Sequence, residues 1–124
     1  MEVKYLKNKT CWYHYGKLHR DDGPAVEWKT GRKEWYLNGQ RHRLDGPAIE
    51  DNNHQEWHRY GRLHRLDGPA IENKYGRQHW LQYNVLHRED GPAVSDKHNP
   101  HIKQYYLCGM CMSYPEYQRL LKLP

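Results

Sequence analysis

Residues 35–50 read WYLNGQRHRLDGPAIE, and variants of this stretch recur along the chain. The tetrapeptide Asp-Gly-Pro-Ala occurs in steps of 23, 22 and 23 residues, at 22–25, 45–48, 67–70 and 90–93. Each copy follows a His-Arg pair and precedes a β-branched residue, and a tryptophan and a turn residue lie upstream of it. Self-similarity at a fixed period indicates a repeat architecture in which every copy folds in the same way.

The local chemistry of one repeat is that of a β-hairpin. Trp35, Tyr36 and Leu37 form a short aromatic strand, and the following Asn-Gly pair is the favoured type I′ turn. Asp-Gly-Pro then bends the returning strand, and the chain resumes as a second strand after Pro47. Two strands per repeat, over five partial or full copies, predict an all-β fold. We expect an elongated antiparallel meander of tandem hairpins with about ten short strands.

The repeat scheme extends over the chain as a single repeat domain, 1–124. Val3 lies nine residues before Trp12, the spacing that separates Val26 from Trp35, so the first residues match the end of a repeat. Beyond the last repeat, a Ser-x-x-Glu capping box from Ser113 predicts a short helix that docks on the last strand. The predicted segments are a partial repeat 1–11, repeats 12–34, 35–56, 57–79 and 80–104, a partial repeat 105–112 and a capping helix 113–123.

Composition favours a thin sheet with half-exposed aromatic side chains. Only 36% of the residues are apolar, Phe is absent, and the chain has 5 Trp and 11 Tyr. The net charge of +5 favours an acidic partner weakly, because 15 acids are scattered among the 20 bases. No apolar stretch approaches the ~20 residues of a membrane span, and no signal-peptide pattern opens the chain. We therefore expect a soluble cytoplasmic protein without membrane partners, and a host-cell cytoplasm if the protein is viral.

The repeat resembles MORN-type repeats, and more closely the variant hairpin repeats written W-Y-x-N-G-x-x-H-R-x-D-G-P-A. Such variants are familiar from bacteriophage and large-virus proteins, and the resemblance covers Glu2 to about Tyr117. It implies a tandem-hairpin fold and a role as an interaction module. Ordinary MORN repeats, which are linked to phospholipids, have His-Gly-x-Gly where this chain has Asp-Gly-Pro-Ala, so the resemblance does not carry a lipid role.

The His-Arg-x-Asp motif could be read as acid–base chemistry. A catalytic group is normally single and lies in an asymmetric pocket, whereas a motif repeated in every hairpin indicates architecture. The chain also has only two serines, Ser95 and Ser113, and neither lies in a nucleophile pattern. We expect no enzymatic activity and no cofactor. The alternative is a nucleic-acid or nucleotide binder in which the motif binds anions through Arg20, Arg43, Arg65 and Arg88 with His19, His42, His64 and His87.

The pair Cys108 and Cys111 has the Cys-x-x-Cys spacing of a zinc knuckle, and His98 and His101 precede it. An extended strand over 102–107 would hold the two pairs about 20 Å apart. This separation argues against a shared metal site, so we predict no metal and interpret the cysteines as part of a divergent hairpin tip.

Positions that vary between equivalent repeats are free to serve a partner, whereas invariant positions build the stack. Tyrosine replaces the turn residue Asn38 in three other repeats, which places aromatic side chains beside the hairpin tips. The alternative is that these rings pack on neighbouring tips. The predicted partner-binding residues are Tyr15, Tyr60, Tyr83, Arg59, Arg62, Met110 and Cys111.

The leading hypothesis is therefore a non-enzymatic protein–protein interaction module. A phage or viral inhibitor of a host defence machine, of the anti-CRISPR kind, is the concrete version that the resemblance implies. Its partner would be a host protein or a ribonucleoprotein complex, and nucleic acid is a possible further contact. The oligomeric state is left open.

Overall fold

The structure of the protein is a computed structural model that describes residues 1–124. The chain forms eighteen short β-strands and one C-terminal helix, and the strands pair in antiparallel order. Its contacts group the residues into two compact units, Met1–Arg62 and Leu63–Pro124. The predicted all-β meander of hairpins with a C-terminal helix is confirmed, whereas the predicted count of about ten strands is wrong.

The strands outnumber the prediction because most aromatic strands are divided at their tryptophan. In the second repeat the Trp35 N–H donates to Ala48 O at 2.7 Å, within the main sheet. The Trp35 carbonyl accepts the His42 N–H at 3.1 Å, within the hairpin. The backbone thus leaves one hydrogen-bond ladder and joins another at a single residue.

The first unit contains one antiparallel sheet and two separate hairpins. Its strands are β1 (Glu2–Tyr5), β2 (Lys9–His14), β3 (Lys17–Leu18), β4 (Val26–Trp28), β5 (Lys33–Glu34), β6 (Tyr36–Leu37), β7 (Gln40–Arg41), β8 (Ile49–Glu50), β9 (His54–Glu56), β10 (His58–Arg59) and β11 (Arg62–Leu63), the last extending one residue into the second unit. The sheet order is β1-β2-β4-β5-β8-β9, with β3 paired to β2. Strands β6 and β7 form one separate hairpin, and β10 and β11 form the other.

The core of the first unit lies along one face of this sheet. Residues opposite one another in antiparallel strands share a face, and the register aligns Cys11, Val26, Glu34, Ile49 and Glu56. Of these, Cys11, Val26 and Ile49 form an apolar layer that is at most 4% exposed. Few large side chains are buried here, so each apolar residue in the layer contributes a large share of the burial.

The second unit repeats the scheme and adds the helix. Its further elements are β12 (Ile71–Asn73), β13 (Arg77–His79), β14 (Leu81–Gln82), β15 (Val85–Leu86), β16 (Val94–Asp96), β17 (Lys103–Leu107), β18 (Met110–Met112) and α1 (Tyr114–Leu121). The sheet order is β12-β13-β16-β17-β18, and β14 and β15 form a hairpin. Here the register aligns Ile71, His79, Val94 and Gln104 on one face.

Helix α1 docks through a single buried tyrosine. Ser113 caps the helix by accepting the Glu116 N–H at 3.4 Å. The Tyr117 hydroxyl donates to Arg88 O at 2.6 Å, and its ring packs against Tyr105 of β17 at 4.9 Å. The helix therefore covers β17 and an Asp-Gly-Pro loop. No helix in the chain has the length and apolarity that crossing a membrane requires.

Candidate binding surface at the hairpin tips

The five hairpin tips share one backbone conformation. The first turn residue has φ between 46° and 51°, and the second has φ between 68° and 82°. Two positive φ angles in succession define the type I′ turn, which matches the twist of the flanking strands. The three tyrosines therefore stand where the second repeat has asparagine, as the sequence predicts. The first-position residues are Tyr15, Asn38, Tyr60, Tyr83 and Cys108.

A histidine of the preceding repeat caps each tip after the first. In the first unit, the Asn38 N–H donates to His19 Nδ1 at 2.9 Å, and the Tyr60 N–H donates to His42 Nδ1 at 3.0 Å. A ring nitrogen that accepts an amide hydrogen carries no proton, so these rings are neutral. Four of the histidines in the repeated motif thus hold the turns. In the second unit, His64 caps Tyr83 at 3.1 Å and His87 caps Cys108 at 2.9 Å.

Successive tips are also joined by backbone hydrogen bonds. In the first unit, the Gly39 N–H donates to Leu18 O and the Gly61 N–H donates to Arg41 O, both at 2.8 Å. Each turn is therefore bonded to the returning strand of the hairpin before it. The tips of the first unit follow one another along one edge, which we call the tip edge; it carries Tyr15, Asn38 and Tyr60 at its turns.

The tip tyrosines Tyr15, Tyr60 and Tyr83 are 91%, 64% and 51% exposed. Their ring centroids lie 4.3 Å from that of His14, 4.2 Å from that of His42 and 4.0 Å from that of His64, respectively, in tilted ring contacts. A positive φ is easy for asparagine but costs a bulky residue about 1 kcal/mol or more. The ring contact offsets part of this cost at the two less exposed positions. It explains little at Tyr15, whose side chain is almost fully in solvent.

We predict that Tyr15→Asn raises the free energy of unfolding by about 1 kcal/mol. Asparagine tolerates the positive φ of this turn, and the tyrosine ring buries too little surface to compensate. Urea unfolding of the variant and the wild type measures the difference. The control is Tyr5→Asn, which removes an 81% exposed tyrosine from the ordinary backbone of β1 and should bring no gain. A loss of stability in Tyr15→Asn would show that the ring is structural.

The tip edge carries cations and no carboxylates. Arg59 and Arg62 flank Tyr60, and neither forms an ion pair. Lys17 beside Tyr15 is exposed, and its stem lies against Gly39 of the next tip. The edge is therefore basic and aromatic at once, which suits contact with an acidic surface. No Asp or Glu occurs in the hairpin segments 12–18, 35–41, 57–63 and 80–86.

The last hairpin tip differs from the others. Met110 is 62% exposed, and the thiols of Cys108 and Cys111 are free and exposed. Cys108 holds the first turn position with φ 50°, so its place in the repeat is that of the tip tyrosines. No group of three or more His, Cys, Asp or Glu side chains is arranged to hold a metal ion. The last tip, in the second unit, thus exposes three polarisable sulfur-containing side chains.

Acidification should weaken the histidine caps. Burial and the nearby Arg59 guanidinium lower the pKa of His42 from its ordinary 6.5. The unfolded chain therefore binds more protons, and the stability due to neutral His42 is present above about pH 6.5 and lost as pH falls below it. We predict a loss of the order of 1 kcal/mol, the net worth of one hydrogen bond.

Measuring unfolding free energies between about pH 7 and 5 checks this loss. The NMR signal of the Tyr60 amide should follow the titration of His42, because a protonated Nδ1 cannot accept its hydrogen. The Gly31 amide, bonded to Trp28 O, is the internal control. A Tyr60 amide that does not respond would contradict the cap.

The motif arginine holds its own repeat together through contacts with the repeat tryptophan, the motif aspartate and the proline carbonyl, and we call this set of contacts the staple. The Arg43 guanidinium lies 3.8 Å from the Trp35 ring centroid, its Nε donates to Asp45 at 3.2 Å, and its Nη1 donates to Pro47 O at 3.1 Å. The same bonds to Asp and to the Pro carbonyl recur at Arg20, Arg65 and Arg88. The motif arginines thus have structural partners within their own repeats. Anion binding by the arginines and histidines stays a prediction.

The glycine of Asp-Gly-Pro is required by this staple. A Cβ on Gly46 would lie 2.8 Å from Cζ of Arg43, and on Gly68 it would lie 2.6 Å from Cζ of Arg65. Neither glycine has a positive φ, so the turn does not require glycine for its backbone conformation. A side chain at either position would occupy the space that the arginine guanidinium fills.

The sequence did not reveal two hydrogen-bonded acids on the core face of the first unit, of which one is buried and one is half-buried. Glu34, 7% exposed, accepts hydrogen bonds from Trp28 at 2.7 Å, Tyr36 at 3.0 Å and Arg32 at 3.2 Å. Burial raises the pKa of Glu34, but these bonds outweigh it and the net pKa is lowered. A second acid, Glu56, accepts from His58 and His54, which brings its pKa to about 2. The only sequence signal was their position directly before the repeat tryptophan, where the first repeat has the apolar Cys11.

No protein-family model matches the chain, and searches of curated proteins and of solved structures find no match. The resemblance to MORN-type repeats therefore rests on the repeat residues alone, and function has to be argued from the geometry of the tips.

Proposed function

We propose that the chain is a non-enzymatic protein–protein interaction module that binds its partner through the tip edge. The observation that carries the proposal is the tyrosine at a positive-φ turn position. Tyr15 bears backbone strain that Asn38 avoids, yet leaves 91% of its surface in solvent. Strain that stability does not explain points to function. Exposed aromatic residues are the usual anchors of protein interfaces.

The contacts of the repeated polar motif support a role other than catalysis. Nδ1 of His42 is occupied by a turn amide, and the Arg43 guanidinium is held by Trp35, Asp45 and Pro47. A general base needs a free nitrogen within reach of a substrate proton. Groups that are all engaged in holding the backbone are architectural, and their recurrence in four repeats agrees with that role.

The charge of the tip edge favours an acidic protein surface as the partner. Arg59, Arg62 and Lys17 have no carboxylate partners, so their charge is available to an incoming surface. Tyr83, Met110 and Cys111 are exposed contact candidates in the second unit. We propose a host protein or ribonucleoprotein complex as the partner. Inhibition of a host defence machine, of the anti-CRISPR kind, is the setting that the resemblance favours.

The test is capture of partners by a tagged copy of the full chain in its host. Chemical cross-linking before lysis, followed by mass spectrometry, should place cross-links from Lys17 in the first unit to acidic segments of one protein or complex. The ratio of absorbance at 260 and 280 nm, with and without nuclease, reports bound nucleic acid. Material that is nucleic acid alone, lost after nuclease treatment, would favour the alternative of a nucleic-acid binder.

A further inference from the structure

A second surface of the first unit lies between its first two Asp-Gly-Pro loops. An open groove of about 720 Å³ runs between residues 20–24 and residues 43–45, and we call it the loop groove. Its apolar lining includes Trp35, Leu37 and Leu44. A volume of this size accommodates several side chains. None of the tip-edge tyrosines lines it.

The loop groove is lined by the one variable position of the His-Arg-x-Asp motif. Asp21 and Leu44 hold this position in the first two repeats, and both lie in the groove. Leu44 is 66% exposed and the Asp21 side chain is 77% exposed. Equivalent positions carry Leu66 and Glu89, so the fold accepts either an apolar or an acidic side chain here. The side chain at this position can therefore differ between repeats according to what each repeat binds.

Carboxylates dominate the charge around the groove, although the whole chain is basic. Each staple guanidinium faces a motif aspartate and a strand glutamate: Asp22 and Glu27 lie 3.1 and 3.2 Å from Arg20, and Asp45 and Glu50 lie 3.2 and 4.0 Å from Arg43. Asp21 adds a further carboxylate, whose contact is His19 Nε2 at 3.0 Å, while His19 Nδ1 accepts the Asn38 N–H. The residues that line the groove thus include three aspartates and two arginines, an excess of negative charge, whereas the tip edge carries only cations.

We propose that the loop groove binds a short basic segment of a partner protein. An apolar side chain of the segment packs on Leu37 and Leu44, and a neighbouring Lys or Arg pairs with Asp21 and the exposed oxygens of Asp22 and Asp45. The side chains of those two aspartates are 87% and 89% exposed, and each bonds its arginine through only one oxygen. A nucleic-acid backbone is repelled by the same carboxylates. The inference concerns a different surface from the proposed function, and either can fail without the other.

Two substitutions test the groove without disturbing the fold. Asp21→Leu and Leu44→Asp each introduce a residue type that an equivalent position already carries. The matched controls are Glu2→Leu and Leu6→Asp, which make the same chemical changes at exposed positions of the same unit outside the groove. Thermal unfolding should place all four variants close to the wild type.

The experiment selects binders of the full chain from a displayed library of random heptapeptides. We expect enriched peptides that join a Lys or Arg to a large apolar residue, and affinity that falls between about 0.05 M and about 0.5 M salt. Their dissociation constants should rise about tenfold in Asp21→Leu and in Leu44→Asp, and should not change in the controls.

The NMR signals of residues 21–24 and 43–45 and of the Trp35 indole should move on addition of the best peptide. No enrichment of basic peptides, or binding of the basic peptides that neither groove variant weakens, would overturn the proposal. Loss of peptide binding in Tyr15→Asn with full binding in both groove variants would move the site to the tip edge and would also overturn it.

Discussion

Gly46→Ala is expected to lower the free energy of unfolding by about 2 kcal/mol, although the residue lies in a loop. A methyl group there would sit 2.8 Å from Cζ of Arg43 and would push the guanidinium off Trp35, Asp45 and Pro47. Hydrogen bonds to charged groups are each worth about 1.5–3 kcal/mol, and the stacked cation adds about 0.5–1 kcal/mol. The exposure of Asp45 reduces the share due to its ion pair.

A double-mutant cycle separates the staple from a plain backbone effect. Urea unfolding of Gly46→Ala, Arg43→Ala and the double variant gives the coupling between the two positions. If the methyl group acts by displacing the guanidinium, Gly46→Ala should cost almost nothing once Arg43 is absent. Equal costs in the two backgrounds would contradict the staple and return the glycine to a purely conformational role.

Ile49→Ala should lower the free energy of unfolding by about 3 kcal/mol, the largest effect of a single substitution that we expect. Ile49 is 1% exposed and is one of the few large apolar side chains in the buried layer of the first unit. Removing a buried aliphatic group costs about 2–5 kcal/mol, because a cavity remains as well as lost burial.

The matched control for this substitution is Leu44→Ala, five residues away in the sequence. Leu44 is 66% exposed, so its removal should change the melting temperature little. Urea and thermal unfolding by circular dichroism measure both variants. Similar small losses in the two would contradict the buried layer, and would require the core of the unit to lie elsewhere.

The repeat period and the turn chemistry were enough to predict the hairpins. Asn38-Gly39 and the Tyr-Gly pairs take the two positive φ angles that a type I′ turn requires, and the position of Asn84 follows from its tolerance of that conformation. The helix start at Ser113 was equally readable, because a capping box is a local signal. The turns and the helix start depend on residues that are close in sequence, so both could be predicted from the sequence.

The roles of the motif residues depend on contacts that sequence spacing does not show. Arg43 and Asp45 are only two residues apart, but the stacking of Arg43 on Trp35, eight residues away, follows only from the bend between them. The His42 cap on Tyr60 joins residues 18 apart. Most aromatic strands are divided at their tryptophan, where the backbone bonds change from one ladder to another, so the strand count was underestimated.

The candidate surface was predicted in part. The tyrosine positions followed from comparing equivalent repeats, whereas their exposure and their ring contacts with histidines required coordinates. The burial of Glu34 was not foreseen, because an acid in a strand normally faces solvent. Its hydrogen bonds to Trp28, Tyr36 and Arg32 offset the free-energy cost of burying the carboxylate.

The measurement that tests the central claim most directly is the affinity of a triple variant, Tyr15→Asn, Tyr60→Asn and Tyr83→Asn, for the partner captured by the wild type. Asparagine is the residue that the second repeat carries at this position, so the turns are retained. The control replaces Tyr5 and Tyr75 with asparagine; both are exposed, at 81% and 63%, and neither is a tip residue. Circular dichroism establishes that both variants are folded before surface plasmon resonance compares them.

The account predicts that the triple variant binds the partner about 10,000-fold more weakly, because three exposed aromatic anchors at about 2 kcal/mol each sum to about 6 kcal/mol, and every 1.4 kcal/mol is about tenfold in affinity. The control should bind with the wild-type affinity. A folded triple variant that binds the partner as tightly as the wild type would contradict the account.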